Sequence, residues 1–375
     1  MDAVARDEIK SKILQSLEQT PFAASSLQEL SGGTVNFIYR AKLKQPLPDG
    51  TNNVLVKHGE EYTANNPNFS LTLMRCSIEE QCLKTLSAFP TEGKTKLPGD
   101  VNIIVRAPKF YHFDEQNNTQ VQEVLCGSMN LKEYALTTYS ADTPDTARPQ
   151  CLQLGRALGK WLYNFHTSST MQAALRETVA GNTEMQKLKH TIYFSWVLDR
   201  VKQFPSVLSE SKDFFEKVRD TTAKEADDES RLRVIHGDFW TGNVLLPSGP
   251  IQDGIDVTVF VVDWEMAEIG LPNVDLGQMI GELYQLKLFK NITAGLWMVQ
   301  GFVEGYGVVS DEFAFRTALQ IGAHLLSFGA AVEGWGTQDQ VEMVVRIGRD
   351  IMVHAWEKDR EWFRGGDLKC LFHSI

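Results

Sequence analysis

The 375-residue sequence has no dense run of lysine or arginine, and its 37 basic residues are outnumbered by 48 acidic ones. A net charge of −11 excludes the basic footprint that tracks a phosphate backbone, so no nucleic-acid partner is expected. Cysteine is scarce and unpatterned. Cys76, Cys82, Cys126, Cys151 and Cys370 form no CxxC pair and are odd in number, which argues against a disulfide framework and for reduced thiols. No apolar run approaches the ~20 residues of a membrane span; the longest lie around Val257–Val262 and Leu325–Val332. The opening stretch MDAVARDEIKSKILQSL is charged and amphipathic and lacks the apolar centre of a signal peptide. The N-x-S/T triplets at Asn68, Asn117 and Asn291 therefore carry no expectation of glycosylation. Repeats and low-complexity tracts are absent, and Lys224–Arg233 reads as a solvated loop. The expectation is a soluble, cytoplasmic protein with no membrane partner.

What is present is ample core material, with 43% hydrophobic and 23% charged residues, in a chain long enough for two lobes. Up to about residue 126 the pattern is one of short strands and turns with one or two helices. Val35–Leu43 and Val54–His58 read as strands joined by a turn at Pro48-Asp49-Gly50, and residues 76–87 carry Ile78, Cys82, Leu83 and Leu86 at helical spacing. Val101–Val105 and Val121–Leu125 are again rich in β-formers. Beyond residue 130 helices dominate: Leu152–Phe165 and Leu276–Leu286 each show one apolar face, and a last long helix is expected over Gln338–Trp362. Strands at Val244–Leu246 and Val257–Val262 interrupt this half. The fold class read from this is α+β, with a β-rich lobe over 1–126 and a helical lobe over 127–375, divided near Gly127.

Chemistry concentrates in His236-Gly237-Asp238-Phe239-Trp240-Thr241-Gly242-Asn243, followed by the apolar strand Val244–Leu246. Phosphoryl transfer to an alcohol requires a carboxylate that orients the attacking hydroxyl and an amide oxygen that ligates Mg²⁺, and Asp238 and Asn243 supply both on one loop. Further on comes Val261-Val262-Asp263-Trp264-Glu265. An acid leaving a buried apolar strand needs a cation or a hydrogen-bond network, which makes Asp263 the second metal ligand, with Glu265 placed to help. Hard cations such as Mg²⁺ prefer these oxygen donors.

The two segments resemble the catalytic and metal-binding loops of the aminoglycoside phosphotransferase and choline kinase group, H-G-D-x-x-x-x-N followed by D-x-D or D-x-E. That resemblance runs over roughly residues 27–360. It implies a protein-kinase-like fold, with ATP clamped between a small β-rich lobe and a larger helical lobe, and with Mg²⁺ as cofactor. It makes Asp238 the catalytic base and Asn243 and Asp263 the magnesium ligands. Glu265 in place of a second Asp is similar to methylthioribose kinases and fungal 4-hydroxytryptamine kinases. The chain departs from the former in Asn243, Phe239 and Trp240.

The resemblance extends to the amino-terminal half. Ser31-Gly32-Gly33-Thr34-Val35-Asn36 is similar to the S-G-G-x-x-N loop of the tryptamine kinases, which implies that Gly32, Gly33 and Asn36 cover the ATP phosphates. Lys57, in the apolar strand Val54–Lys57, matches the lysine that holds the α- and β-phosphates and pairs with a helix glutamate. Glu79 fits that motif, and Glu80 is the alternative. Glu123 and Leu125 would offer backbone groups to adenine. His236 is read as bracing the loop, Asp275 resembles the family's bracing aspartate at a helix start, and His166 is a packed structural histidine. Trp240, Trp264, Trp335 and Arg316 are candidates for contact with the substrate; Arg346 and Arg349 are read as solvated.

The function expected is transfer of the ATP γ-phosphate to a hydroxyl of a small molecule. A hydroxylated aromatic amine or a methylthioribose-like sugar is favoured as acceptor, with choline- or aminoglycoside-like cations as the third class. A protein kinase is disfavoured, because Asp263 and Asp275 leave no room for an activation segment. The alternative from another class is a non-catalytic ATP-binding scaffold.

Overall fold

A computed structural model describes residues 3–30, 33–89, 102–169, 171–225, 228–252, 254–331 and 334–372. In chain order, helix α1 (Ala3–Leu17) precedes strands β1 (Ala24–Glu29), β2 (Phe37–Leu43) and β3 (Asn53–His58). Helix α2 (Met74–Ser87) is followed by β4 (Ile103–Arg106), β5 (Phe110–Asp114), β6 (Thr119–Glu123) and β7 (Ser128–Asn130). The helical half opens with α3 (Leu131–Thr138), α4 (Arg148–Ser169), α5 (Ala173–Ala180) and α6 (Thr183–His190). A π-helical turn at Thr191–Ser195 leads into α7 (Trp196–Gln203), α8 (Pro205–Leu208) and α9 (Lys212–Glu225). Strands β8 (Arg233–Ile235), β9 (Val244–Pro247), β10 (Val257–Val261) and β11 (Glu268–Gly270) then precede α10 (Asn273–Lys290), α11 (Ala294–Tyr306) and α12 (Asp311–His324). A second π-helical turn, Leu325–Gly329, leads to α13 (Gln338–Trp356) and α14 (Arg360–Arg364).

The described residues form two compact units, the first from residues up to 89, 107–127 and 262–267, the second from 102–106, 128–261 and 268–372. In the first, β1-β2-β3-β6-β5 make one antiparallel sheet. The period of two along β2 buries Phe37, Tyr39, Ala41 and Leu43 in one cluster with Ile9, Ile13 and Leu17 of α1. Lys57 sits in β3 opposite Ile38 and Gln120, so an ammonium is carried into apolar surroundings by an interior strand.

In the second unit β4-β10-β9-β7 form a sheet in which β4 runs parallel to β10. The strand at Ile103–Arg106 thus pairs with the second unit. Helices α4 and α11 pack backbone to backbone. A Cβ on Gly155 would lie 2.2 Å from the Met298 carbonyl oxygen, and one on Gly159 would lie 2.0 Å from that of Phe302. Gly301 and Gly305 make the reciprocal approaches to Leu152 and Arg156. The last helix is shorter than its apolar pattern suggests: α13 ends at Trp356 and Lys358 turns left-handed at φ 56°. The Asp359 carboxylate, accepting from the Trp362 N–H at 3.0 Å, then starts α14. The β6 strand is Thr119–Glu123 rather than Val121–Leu125. No helix among the described residues is long and apolar enough to cross a membrane.

Candidate active site

In the first unit the sheet and α2 assemble an ion cluster. Lys57 Nζ lies 2.7 Å from Glu79 Oε2, 2.5 Å from Asp263 Oδ1 and 3.9 Å from Glu265 Oε2. Glu80 turns away to pair with Lys84. Burial alone would depress the Lys57 ammonium, but the carboxylates of Asp263, Glu79 and Glu265 hold it well above an ordinary lysine. Burial raises the Glu79 carboxyl and pushes Glu265 up to about 7. Asp263 is held at φ 67°, a left-handed conformation that costs about 1–3 kcal/mol in a non-glycine residue. Trp264, next in the chain, anchors this turn: its ring is fully buried and its backbone N–H donates to Glu79 Oε1 at 3.4 Å. Oxygens of Glu79, Asp263 and Glu265 lie within 4.8 Å of one another, and such an all-carboxylate donor set fits a hard divalent cation.

In the second unit the loop after β8 is braced from below. The Asp275 carboxylate, at the start of α10, accepts the backbone N–H of His236 at 2.8 Å and of Gly237 at 2.9 Å. Burial would raise Asp275, but the hydrogen bond and charge of His166, with His236 and Lys189, hold it below the usual carboxylate range. Gly237 takes φ 81°, which glycine adopts without strain, and the Asp238 N–H meets His236 Nδ1 at 3.1 Å. Asp238 is then fixed on both oxygens: Gln278 Nε2 donates to Oδ1 at 2.7 Å and Asn243 Nδ2 to Oδ2 at 3.0 Å. Asn243 also donates to the Asp238 carbonyl at 2.9 Å, so both N–H groups of its amide point at Asp238.

Residues 47–308 match the phosphotransferase enzyme family. Over 366 residues the chain is 32% identical to the phosphotransferase FrzJ of a Cladobotryum species, covering 95% of this chain and 94% of that protein. This chain belongs to the phosphotransferase enzyme family. The 4-hydroxytryptamine kinase of Psilocybe cyanescens is 25% identical, covering 93% of this chain and 91% of that protein. Among solved structures, an ethanolamine kinase of Plasmodium vivax superposes with a TM-score of 0.50 at 13% identity, over 96% of this chain and 91% of that one. A GDP complex of an aminoglycoside 2'-phosphotransferase-IIIa variant gives 0.50 at 16% identity, over 96% and 99%. The phosphotransferase fold is thus α+β and kinase-like, a β-sheet amino-terminal region followed by a mainly helical remainder.

Other residues singled out in the sequence of this phosphotransferase fall differently. Gly32 lies outside the described residues. Gly33 packs close to the Asn36 carbonyl, which a Cβ there would approach to 2.6 Å. The Asn36 amide is committed to acids and bases of the ion cluster, donating to Glu265 Oε2 at 2.5 Å and accepting from Arg75 at 3.2 Å. The Glu123 N–H donates to the Lys109 carbonyl at 2.8 Å as part of the sheet edge, and Leu125 follows the end of β6. Trp264, read as a substrate contact, is fully buried and presents no surface to a substrate. Arg316 pairs with Glu225. Trp240 and Trp335 share one cation, with Lys132 Nζ 5.6 Å and 4.3 Å from their ring centres.

Sequence reasoning missed the partners of that lysine. Glu282 accepts from Lys132 at 3.1 Å, from the Thr241 hydroxyl at 3.1 Å and from His324 Nε2 at 2.9 Å. Burial would raise Glu282, yet His324 and Lys132 hold it at about 2. Asp275, Gln278 and Glu282 are spaced as one face of α10, and all three are buried. A polar stripe on a helix that starts beside the His236–Asn243 loop was the available signal. Arg75, fully buried against Glu265 at 3.4 Å, was likewise silent, because a helix arginine usually reads as solvated.

Proposed function

We propose that this phosphotransferase uses MgATP to phosphorylate a hydroxyl group of a small molecule, with a hydroxylated aromatic amine favoured as acceptor. The observation that carries the reading is the bracing of Asp238, whose two oxygens are fixed by Gln278 and Asn243 on a loop pinned by Asp275. A carboxylate so oriented accepts the proton of the attacking hydroxyl as its oxygen bonds to the γ-phosphorus and the bond to the ADP oxygen breaks. Lys57, kept charged by its three carboxylates, would hold the α- and β-phosphates. In the first unit Asp263 and Glu265 are the groups suited to Mg²⁺, whose charge would offset that of the phosphates; in the second unit the candidate ligand is the Asn243 amide oxygen. Gly33 of the amino-terminal loop would cover the phosphates, and the Glu123 and Leu125 backbone would take adenine.

Support for an amine acceptor comes from the Trp240–Trp335 pair, whose ring faces already enclose an ammonium, that of Lys132, beside the Glu282 carboxylate. The 4-hydroxytryptamine kinases are consistent relatives over most of the chain. The test is ADP release across 4-hydroxytryptamine, methylthioribose, choline and an aminoglycoside. Turnover of one acceptor that falls about 10²–10⁴-fold in Asp238→Asn is the expected result. Parental rates in that variant would overturn the role of Asp238. Silence with every acceptor despite MgATP binding would favour a non-catalytic ATP-binding scaffold.

A further inference from the structure

The second unit contains a cavity of about 410 Å³ whose lining excludes the whole catalytic loop, walled by α6, the π-helical turn Thr191–Ser195, α9, β11 and α12. A volume of this order suits a small organic ligand. Exposed Lys187, Thr191 and Ala223 mark its mouth. Its interior holds charges whose polar atoms are unmatched among the described residues. Lys189 is 6% exposed, and its Nζ makes no hydrogen bond, standing 4.0 Å from Glu268 Oε1. Arg316, 9% exposed, pairs with Glu225 through Nη2 while its Nε has no partner. Glu268 Oε2 is also unmatched. A buried polar atom left unpaired is costly, and more so when charged. Unpaired groups lining one cavity from three elements therefore point to a missing partner rather than to packing. Two cationic donors stand against one acceptor, and Glu225 is already taken by Arg316 and Arg231. Tyr193, Phe194, Leu232, Leu271, Val274 and Leu319 give the lining its apolar part, beside polar Gln186, Asn273 and Gln320. The π-helical turn that carries Tyr193 and Phe194 into this wall is of a kind found disproportionately at functional sites.

We propose that this cavity is a second binding site, distinct from the catalytic loop, for a small organic anion that presents a carboxylate to Lys189 and Arg316 and buries an apolar or aromatic body. Glu268 is compatible with such a guest: burial pushes its acid up to about 7, so it carries a proton part of the time and can then donate. The test is calorimetric titration of the full-length protein, without nucleotide, with three molecules of one shape: indole-3-propionate, indole-3-propionamide and tryptamine. The anion should bind at least ~10-fold more tightly than the amide or the amine, since one charge-assisted contact carries about 1.5–3 kcal/mol. Lys189→Met should remove that preference. Glu268→Gln, which keeps the shape and offers a donor, should preserve or strengthen anion binding. Asp238→Asn should leave it unchanged. Equal affinity for all three molecules, no binding of the anion, or anion binding indifferent to Lys189→Met would overturn the site. Anion binding lost in Asp238→Asn would place the ligand at the catalytic loop instead and overturn it equally. No turnover is measured, so the outcome stands apart from that of the phosphotransfer assay.

Discussion

At the scale of the residue, the ion cluster around Lys57 sets a balance that single substitutions should expose. Removing one partner of a buried ionic group leaves the others uncompensated, at about 3–5 kcal/mol. Lys57→Met should therefore lower Tm as well as abolish turnover. Lys57→Met/Glu79→Gln should recover much of the stability and none of the activity, a split readable by thermal melts beside ADP release. A second prediction concerns pH. Burial pushes Glu268 to about 7, whereas an unfolded glutamate titrates near 4.3. Between about pH 4.3 and 7 the folded chain keeps this proton and the unfolded chain has lost it, so stability falls as pH rises through that window and levels off above it. Melts of Glu268→Gln between about pH 5 and 8 should show a flatter fall, with Glu265 retaining its own share. Glu60 and Glu282 run the other way. The hydrogen bond from His58 holds Glu60 at about 2, and His324 and Lys132 hold Glu282 there against its burial. Their contributions are complete above about pH 4.3 and disappear as pH falls toward 2. A slope for Glu268→Gln equal to that of the parent would remove Glu268 from this account.

At the scale of the element, the proposed catalytic loop His236–Asn243 is held by helices that were only partly legible. The apolar spacing of Leu276, Met279, Ile280 and Leu283 marks α10 as a helix in the sequence. Its polar residues look like a solvated face until the fold buries them against the loop. The α4–α11 crossing was not legible at all, because Gly155, Gly159, Gly301 and Gly305 read singly as weak helix positions. Their role emerges only when the two backbones meet. That crossing places His166 of α4 beside Tyr306 of α11, with Nδ1 2.9 Å from its hydroxyl and Nε2 3.0 Å from Asp275. Gly159→Ala would push a methyl group into a backbone carbonyl that cannot swing aside, and should cost about 1–3 kcal/mol or more. Gly249→Ala, which meets nothing within 4 Å, is the control and should be neutral. If both melt alike, close backbone approach does not limit this helix pair.

At the scale of the whole molecule, the proposed nucleotide chemistry makes a prediction that needs no acceptor. A ligand that binds only the folded state at 100 times its Kd stabilises by about 2.7 kcal/mol. MgATP should raise Tm accordingly, and chelation of the metal or Asp263→Asn should remove most of the shift. A Tm indifferent to MgATP would sink the nucleotide reading. The class of protein was legible in the linear chain: an acidic composition with few cysteines, a β-rich beginning, a helical remainder, and two short loops with residue types that resemble those of phosphotransferases. Those signals are local, a carboxylate and an amide on one turn or an acid closing an apolar strand, and local chemistry survives in a linear reading. Only the tertiary structure decided that Asn36 and Arg75 serve Glu265, that Trp264 is buried as an anchor, and that Gln278 and Glu282 line the catalytic side of α10. The physical reason is that pairing of buried polar groups is set by contacts across up to 229 residues of chain, where burial rather than residue type determines which partner each charge must find.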